Sequence, residues 1–140
     1  MNPDSGLKVL VVDDNMVNRV SMEKIMSEFG SVESKKSGQE AVYAFETNLQ
    51  FGRNYDLVLL DIIMPDIDGL KVLQKMRAIE KEYELSAKER AKIFMVTSHA
   101  HKDIVLSSLK IGCDDYIVKP LQREIIVEKL LEFGFKINNA

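Results

Sequence analysis

The sequence has few of the residues that mark secreted, membrane-spanning or nucleic-acid-binding proteins. Its 140 residues include one cysteine, Cys113, so no disulfide can form within the chain, and a reducing, cytoplasmic setting is expected. No apolar run is long enough to cross a bilayer or to form a secretory signal, so we expect no membrane partner. The net charge is −3, and without a basic excess we expect no direct binding of nucleic acid.

The chain does contain enough apolar residues for one ordinary core. Hydrophobic residues make up 46% and charged residues 29% of the sequence, as in a typical globular domain. A chain of this length is expected to form a single domain over residues 1–140, with a core of about residues 7–133.

Short apolar runs alternate five times with segments of helical periodicity. The predicted strands cover residues 7–12, 31–36 (a weak edge strand), a run from 57 that ends in a carboxylate, 93–97 and 116–118. The predicted helices cover residues 16–29, 38 to about 51, 69 to about 79, 103–111 and 122–133, with one extra capped turn at 86–89. This alternation predicts a doubly wound α/β fold, a five-stranded parallel sheet with helices on both faces.

Polar side chains follow four of these strands, at the point where each strand ends. Asp13 and Asp14 follow the first strand, Asp61 ends the third, Thr97 ends the fourth and Lys119 follows the fifth. In an open parallel sheet these positions meet in one crevice. Three neighbouring carboxylates would repel one another unless a cation joined them, and an oxygen site with room for water suits Mg²⁺. With a lysine and a hydroxyl beside them, the group predicts phosphoryl transfer onto Asp61 as nucleophile.

At these positions the sequence resembles the receiver domain of two-component response regulators, including the chemotaxis regulator and the receivers of hybrid sensor kinases. The resemblance covers residues 7–133. It rests on the motif VVDDN at 11–15, on Asp61 followed by Met64-Pro65 and Asp68-Gly69, on VTS at 96–98, and on Tyr116 with VKP at 118–120. It implies a flavodoxin-like sheet of order 2-1-3-4-5.

The resemblance also implies a role for each site residue. Asp61 would be the phosphoacceptor and Lys119 would pair with the phosphoryl group. Mg²⁺, or Mn²⁺, would be held by Asp61, by Asp14 directly, by Asp13 partly through water, and by the backbone carbonyl of Ile63. The phosphoryl donor would be a histidine kinase or a histidine phosphotransfer protein.

The family's output depends on a coupled movement of two residues, which the resemblance assigns to Thr97 and Tyr116. Thr97 would bond the phosphoryl oxygen, and Tyr116 would turn into the space that Thr97 vacates. The surface of the fourth helix, fifth strand and fifth helix would then regulate a partner protein. The chain is therefore expected to be a signalling switch that catalyses only its own phosphorylation and slow dephosphorylation. The Lys119-Pro120 bond is expected to be cis.

Two positions are expected to set the lifetime of the phosphoryl group. Ile63 and His99 lie two residues after Asp61 and Thr97, flanking the expected path of a hydrolytic water. Ile63 offers no hydrogen bond, so we expect it to shield the aspartyl phosphate.

Two other functions also fit a strand-end aspartate in an α/β fold. A phosphohydrolase of the haloacid-dehalogenase kind would need a second aspartate two residues after Asp61, where this chain has Ile63. A flavodoxin-like cofactor binder would need a phosphate-binding loop after the first strand, where Asp13 and Asp14 stand instead. Within the receiver interpretation, a stand-alone protein and a piece of a longer chain are equally compatible with the sequence.

Overall fold

The computed structural model describes residues 6–98 and 102–137, in which five strands alternate with five helices. The strands are β1 (Leu7–Val12), β2 (Gly30–Lys35), β3 (Leu57–Asp61), β4 (Lys92–Thr97) and β5 (Asp115–Val118). The helices are α1 (Met16–Met26), α2 (Gly38–Gln50), α3 (Gly69–Glu82), α4 (Lys102–Ile111) and α5 (Arg123–Glu132). The predicted α/β alternation is confirmed.

All five strands form one parallel sheet in the order β2-β1-β3-β4-β5. The order reverses between β1 and β3, and this reversal opens a crevice beyond the carboxyl ends of the strands. Val12 lies opposite Leu60 in the β1–β3 register, which brings the next residues, Asp13 and Asp61, side by side. Thr97 lies opposite Val118, one residue before Lys119.

Each face of the sheet is covered by its own apolar cluster. On one face, α1 and α5 contribute Met22, Met26, Ile126 and Leu130. On the other face, α2 and α3 provide most of the cover, and α4 packs its Ile104 and Ile111 against them. β3 lies at the centre of the sheet and is buried along its whole length, as its apolar sequence predicts.

Not every apolar residue of α1 and α5 is buried. Met16 and Val20 are 68% and 48% exposed, whereas Met22, two residues after Val20 and so about 200° around the helix, faces the sheet. On α5, Ile125 and Leu131 are 37% and 51% exposed. Ile126 and Leu130, four residues apart, are the buried pair that faces the sheet. Ile125 comes one residue before this pair and Leu131 one residue after it, and one residue is about 100° of rotation, so both lie outside the buried stripe.

The end of α1 also differs from the prediction. α1 ends at Met26 rather than Phe29, because β2 begins at Gly30, where a Cβ would lie 1.9 Å from the carbonyl oxygen of Leu7. The segment at 86–89 is a hydrogen-bonded turn, as predicted, in which the carbonyl oxygen of Ser86 accepts from the N–H of Arg90 at 3.2 Å. Its Glu89 carboxylate accepts a hydrogen bond from the N–H of Ser86 at 2.9 Å.

None of the helices among the described residues combines the length and the apolarity needed to span a bilayer. Cys113 is buried, and burial raises the pKa of its thiol to about 11, as suits a residue that fills the core.

Candidate functional site

Three carboxylates meet where β1 and β3 end. Oxygen atoms of Asp13, Asp14 and Asp61 all lie within 4.8 Å of one another. Asp13 is fully buried and Asp61 is 6% exposed, whereas Asp14 is exposed and opens the group to solvent. The structure therefore brings together the three acids predicted from the strand ends.

Lys119 enters this acidic group from the end of β5. Its Nζ lies 2.8 Å from Oδ2 of Asp13 and 3.5 Å from Oδ1 of Asp61. Oδ2 of Asp13 is buried, and the Lys119 ammonium neutralises its charge at ion-pair distance. One lysine faces three carboxylates, and the site keeps an excess of negative charge.

That excess changes the acidity of Asp61. Burial, and next the charge of Asp13, raise its pKa from 3.8 to about 6. Lys119 and a hydrogen bond from the N–H of Ile63 act in the opposite direction, and Asp14 adds a smaller upward effect. A carboxylate whose charge is this unfavourable is stabilised by an added cation.

The loop between β1 and α1 fixes Asp13 through backbone contacts. The N–H of Asn15 donates to Oδ1 of Asp13 at 2.9 Å, and the Asn15 side chain caps α1 by accepting from the N–H of Asn18 at 3.0 Å. Nη1 of Arg19 donates to the carbonyl oxygen of Asp13 at 2.9 Å. We did not predict a role for Arg19, although its position one turn into α1 is the signal that places it beside the loop.

The two predicted switch residues lie on neighbouring strands. Thr97 is 4% exposed at the end of β4, and its carbonyl oxygen accepts from the N–H of Lys119 at 2.7 Å. Tyr116 lies on β5 opposite Met95 and is 37% exposed. The Lys119-Pro120 bond is cis, as the resemblance implies.

Of the two residues predicted to set the phosphoryl lifetime, only Ile63 lies within the described part of the chain. The side chain of Ile63 is 66% exposed, while its N–H donates to the Asp61 carboxylate. His99 lies outside the described residues. Both roles stay predictions.

Residues 9–131 match the response regulator receiver domain family. The chain belongs to this family. The expected resemblance and the flavodoxin-like strand order are therefore confirmed.

Receiver domains of both kinases and chemotaxis proteins are among its relatives. The chain is 38% identical over 128 residues to hybrid signal transduction histidine kinase L of Dictyostelium discoideum, covering 91% of this chain but 7% of that protein. It is 33% identical over 126 residues to the chemotaxis protein CheY of Listeria monocytogenes, covering 89% of this chain and 95% of that protein.

Two solved structures show the same fold with ligands named. The receiver domain of the Arabidopsis thaliana histidine kinase CKI1, complexed with Mg²⁺ and BeF₃⁻, has a TM-score of 0.75 and 27% identity, covering 91% of each chain. A chain of the CheX-CheY-BeF₃-Mg²⁺ complex from Borrelia burgdorferi has a TM-score of 0.79 and 26% identity, covering 97% of this chain and 100% of that one.

Receiver domains are signalling switches of two-component systems, and they bind Mg²⁺ at an acidic pocket. The residues of this chain fit such an ion. The three acids supply oxygen ligands within 4.8 Å of one another, and the exposed Asp14 leaves the group open to an ion and its water. Membership in the family favours the switch over the phosphohydrolase and the flavodoxin-like alternatives.

Proposed function

We propose that this receiver domain accepts a phosphoryl group on Asp61 from a histidine kinase or a histidine phosphotransfer protein. The observation that carries the proposal is the position of Asp61 in the crevice, beside two other carboxylates and the Lys119 ammonium. A carboxylate oxygen of Asp61 forms a bond to phosphorus while the phosphorus–nitrogen bond of the donor breaks, and the electron pair leaves with the histidine nitrogen.

The site contributes mainly charge and position to this transfer. Lys119 is close enough to Asp61 to pair with a phosphoryl oxygen bound to it. Asp13, Asp14, Asp61 and the carbonyl of Ile63 would hold Mg²⁺, which when bound offsets the negative charge that the phosphoryl group and the carboxylates bring together.

The change in charge would then alter the outer surface. The Thr97 hydroxyl donates to the new phosphoryl oxygen, which favours the packing in which Tyr116 turns inward. Exposed apolar residues on α4, β5 and α5 offer a partner-binding surface in reach of this change: Leu106, Leu109, Tyr116, Val118 and Ile125, each 37–50% exposed. The output partner is proposed to be a protein.

A second apolar surface supports docking of the donor protein. Met16, Val17 and Val20 on α1 are 68%, 77% and 48% exposed, and α1 begins three residues after Asp13. A donor whose phosphohistidine enters the crevice would cover this part of α1. Because the partners are kinases and phosphotransfer proteins, we also propose a cytoplasmic location. The single-domain bounds stay a prediction.

The phosphoacceptor is tested with BeF₃⁻ and Mg²⁺, which together mimic an aspartyl phosphate. We expect the amide NMR signals of Thr97 and Tyr116 to shift in the wild type and to stay unchanged in Asp61→Asn. Phosphorylation by acetyl phosphate should follow the same pattern. An Asp61→Asn protein labelled as strongly as the wild type would refute the role of Asp61.

Donor docking is tested separately with Val17→Lys. The matched control is Tyr43→Lys, since Tyr43 is 76% exposed on α2, on the opposite face of the sheet. We expect Val17→Lys to slow transfer from a phosphorylated phosphotransfer protein while acetyl phosphate labels both variants normally. Equal transfer rates in the two variants would contradict docking on α1.

A further inference from the structure

The loop between β3 and α3 has a side-chain contact with a helix that lies far away in the sequence. The carboxylate of Asp66 accepts hydrogen bonds from the N–H of Gly38 at 3.2 Å and from the N–H of Gln39 at 3.1 Å. These are the first two residues of α2, 28 and 27 positions earlier. We call this contact the α2 clasp.

The clasp completes the amino-terminal end of α2. The first N–H groups of a helix have no partner within the helix, and the positive end of its dipole favours a carboxylate. Ser37 serves only one of these groups, since its Oγ accepts from the N–H of Glu40. Although slight burial disfavours the charged form, bonds from the N–H groups of Gln39, Gly38 and Ile67 hold the pKa of Asp66 below its usual range.

The packing around the clasp is close enough to fix the loop. A Cβ on Gly38 would lie 2.2 Å from Cγ2 of Ile67 and 2.7 Å from Cγ2 of Val72, so only glycine lets the loop reach the end of α2. The same loop leads back to the site within three residues. The N–H of Ile63 donates to the carboxylate of Asp61, so the position of the loop and that of the phosphoacceptor are coupled.

We propose that Asp66 is a positioning residue, which holds the β3–α3 loop against α2. It thereby positions the backbone of Ile63, whose N–H contacts Asp61 and whose carbonyl would bind the metal ion. The inference rests on the proposed function, because it assigns the Ile63 carbonyl to Mg²⁺. Asp66 itself contacts neither the phosphoryl group nor the ion. It acts through the loop.

Asp66→Ala tests the clasp, with Ser37→Ala as the matched control. Both variants remove one side-chain acceptor from the same helix end, but only Asp66→Ala releases the loop. By isothermal titration calorimetry we expect Asp66→Ala to weaken Mg²⁺ binding about tenfold, the lower end of the effect of outer-shell partners. Ser37→Ala should bind Mg²⁺ as the wild type does, and Asp66→Asn, which keeps an acceptor oxygen, should lie between.

A second readout uses the metal-free protein. Amide hydrogen exchange at Ile63 should be about fivefold faster in Asp66→Ala, because the hydrogen bonds that hold the loop against α2 are lost, and unchanged in Ser37→Ala. Unchanged Mg²⁺ affinity in Asp66→Ala would overturn the inference, as would an equal loss in Ser37→Ala. If the wild type itself bound no Mg²⁺, the proposed function would fail first, and the exchange measurement would still decide whether the clasp orders the loop.

Discussion

Replacing Asp61 with asparagine should stabilise the metal-free protein at neutral pH, although it removes the phosphoacceptor. Burial and the charge of Asp13 raise the pKa of Asp61 from 3.8 to about 6, and the attraction of Lys119, 3.5 Å away, is too weak to reverse this. The ionised carboxylate therefore opposes folding. Asparagine has nearly the same shape and keeps an acceptor oxygen for the N–H of Ile63, but carries no charge.

The sign and size of the effect follow from the linkage between protonation and folding. Because the pKa of Asp61 is higher in the folded than in the unfolded chain, stability falls as pH rises from about 4 to about 6, and the whole cost is present above that window. At about 1.4 kcal/mol for each unit of pKa, the full cost would be about 3 kcal/mol. Asp14 opens the site to solvent, which screens the charges, so we expect about 1 to 2 kcal/mol.

Thermal unfolding in EDTA measures this difference. At pH 7.5 we expect Asp61→Asn to melt about 4 to 8 °C above the wild type, and the gap to close as pH falls to 4. Millimolar Mg²⁺ should raise the melting temperature of the wild type more than that of the variant. Glu128→Gln removes one exposed negative charge from α5 and is the charge control. A variant less stable than the wild type in EDTA would show that the ion pair with Lys119 outweighs the repulsion, and would refute the reasoning.

Three further predictions concern the phosphoryl lifetime and the stability of the fold. Ile63→Asn should shorten the half-life of the aspartyl phosphate a few-fold, on the order of 1 kcal/mol in barrier, measured by decay of phosphoprotein after the donor is removed; equal or slower decay would contradict shielding. Phe133→Ala should lower the free energy of unfolding, measured in urea, by about 2 kcal/mol, because its half-buried ring packs on the core. Phe51→Ala is the control, and because the Phe51 ring is 72% exposed it should change this free energy by less than about 0.5 kcal/mol. Arg77→Met should lower the free energy of unfolding by about 3 kcal/mol, because the carboxylate of Glu80, which is 1% exposed, loses its ion pair at 2.6 Å. In the same urea titration, the double variant Arg77→Met/Glu80→Met should recover part of that loss, because no unpaired charge stays buried.

The site residues could be predicted because their grouping follows from where the strands end, which the pattern of apolar runs in the sequence shows. Each apolar run ends in a polar residue, and parallel strands bring all their carboxyl ends to one edge. Asp13, Asp61 and Lys119 could therefore be grouped before any contact was known, and the structure places them within ion-pair distance.

The starts of α1 and α3 also follow from residues close by in the sequence. Asn15 and Asp68 stand just before α1 and α3, and each accepts a hydrogen bond from the third residue after it, as is typical of residues that cap a helix. A cap interacts with its own helix, so no distant residue has to be known.

The sequence by itself determined the order of strands and helices, the parallel sheet and the residues at the crevice, because period, run length and caps act over a few neighbouring positions. Only the tertiary structure decided which apolar residues stay exposed, as Val17 and Leu131 do, since helical spacing cannot show how wide a stripe the sheet covers. Only the tertiary structure joined Asp66 to α2, because an acceptor for the first N–H groups of a helix can come from anywhere in the chain that the fold brings near.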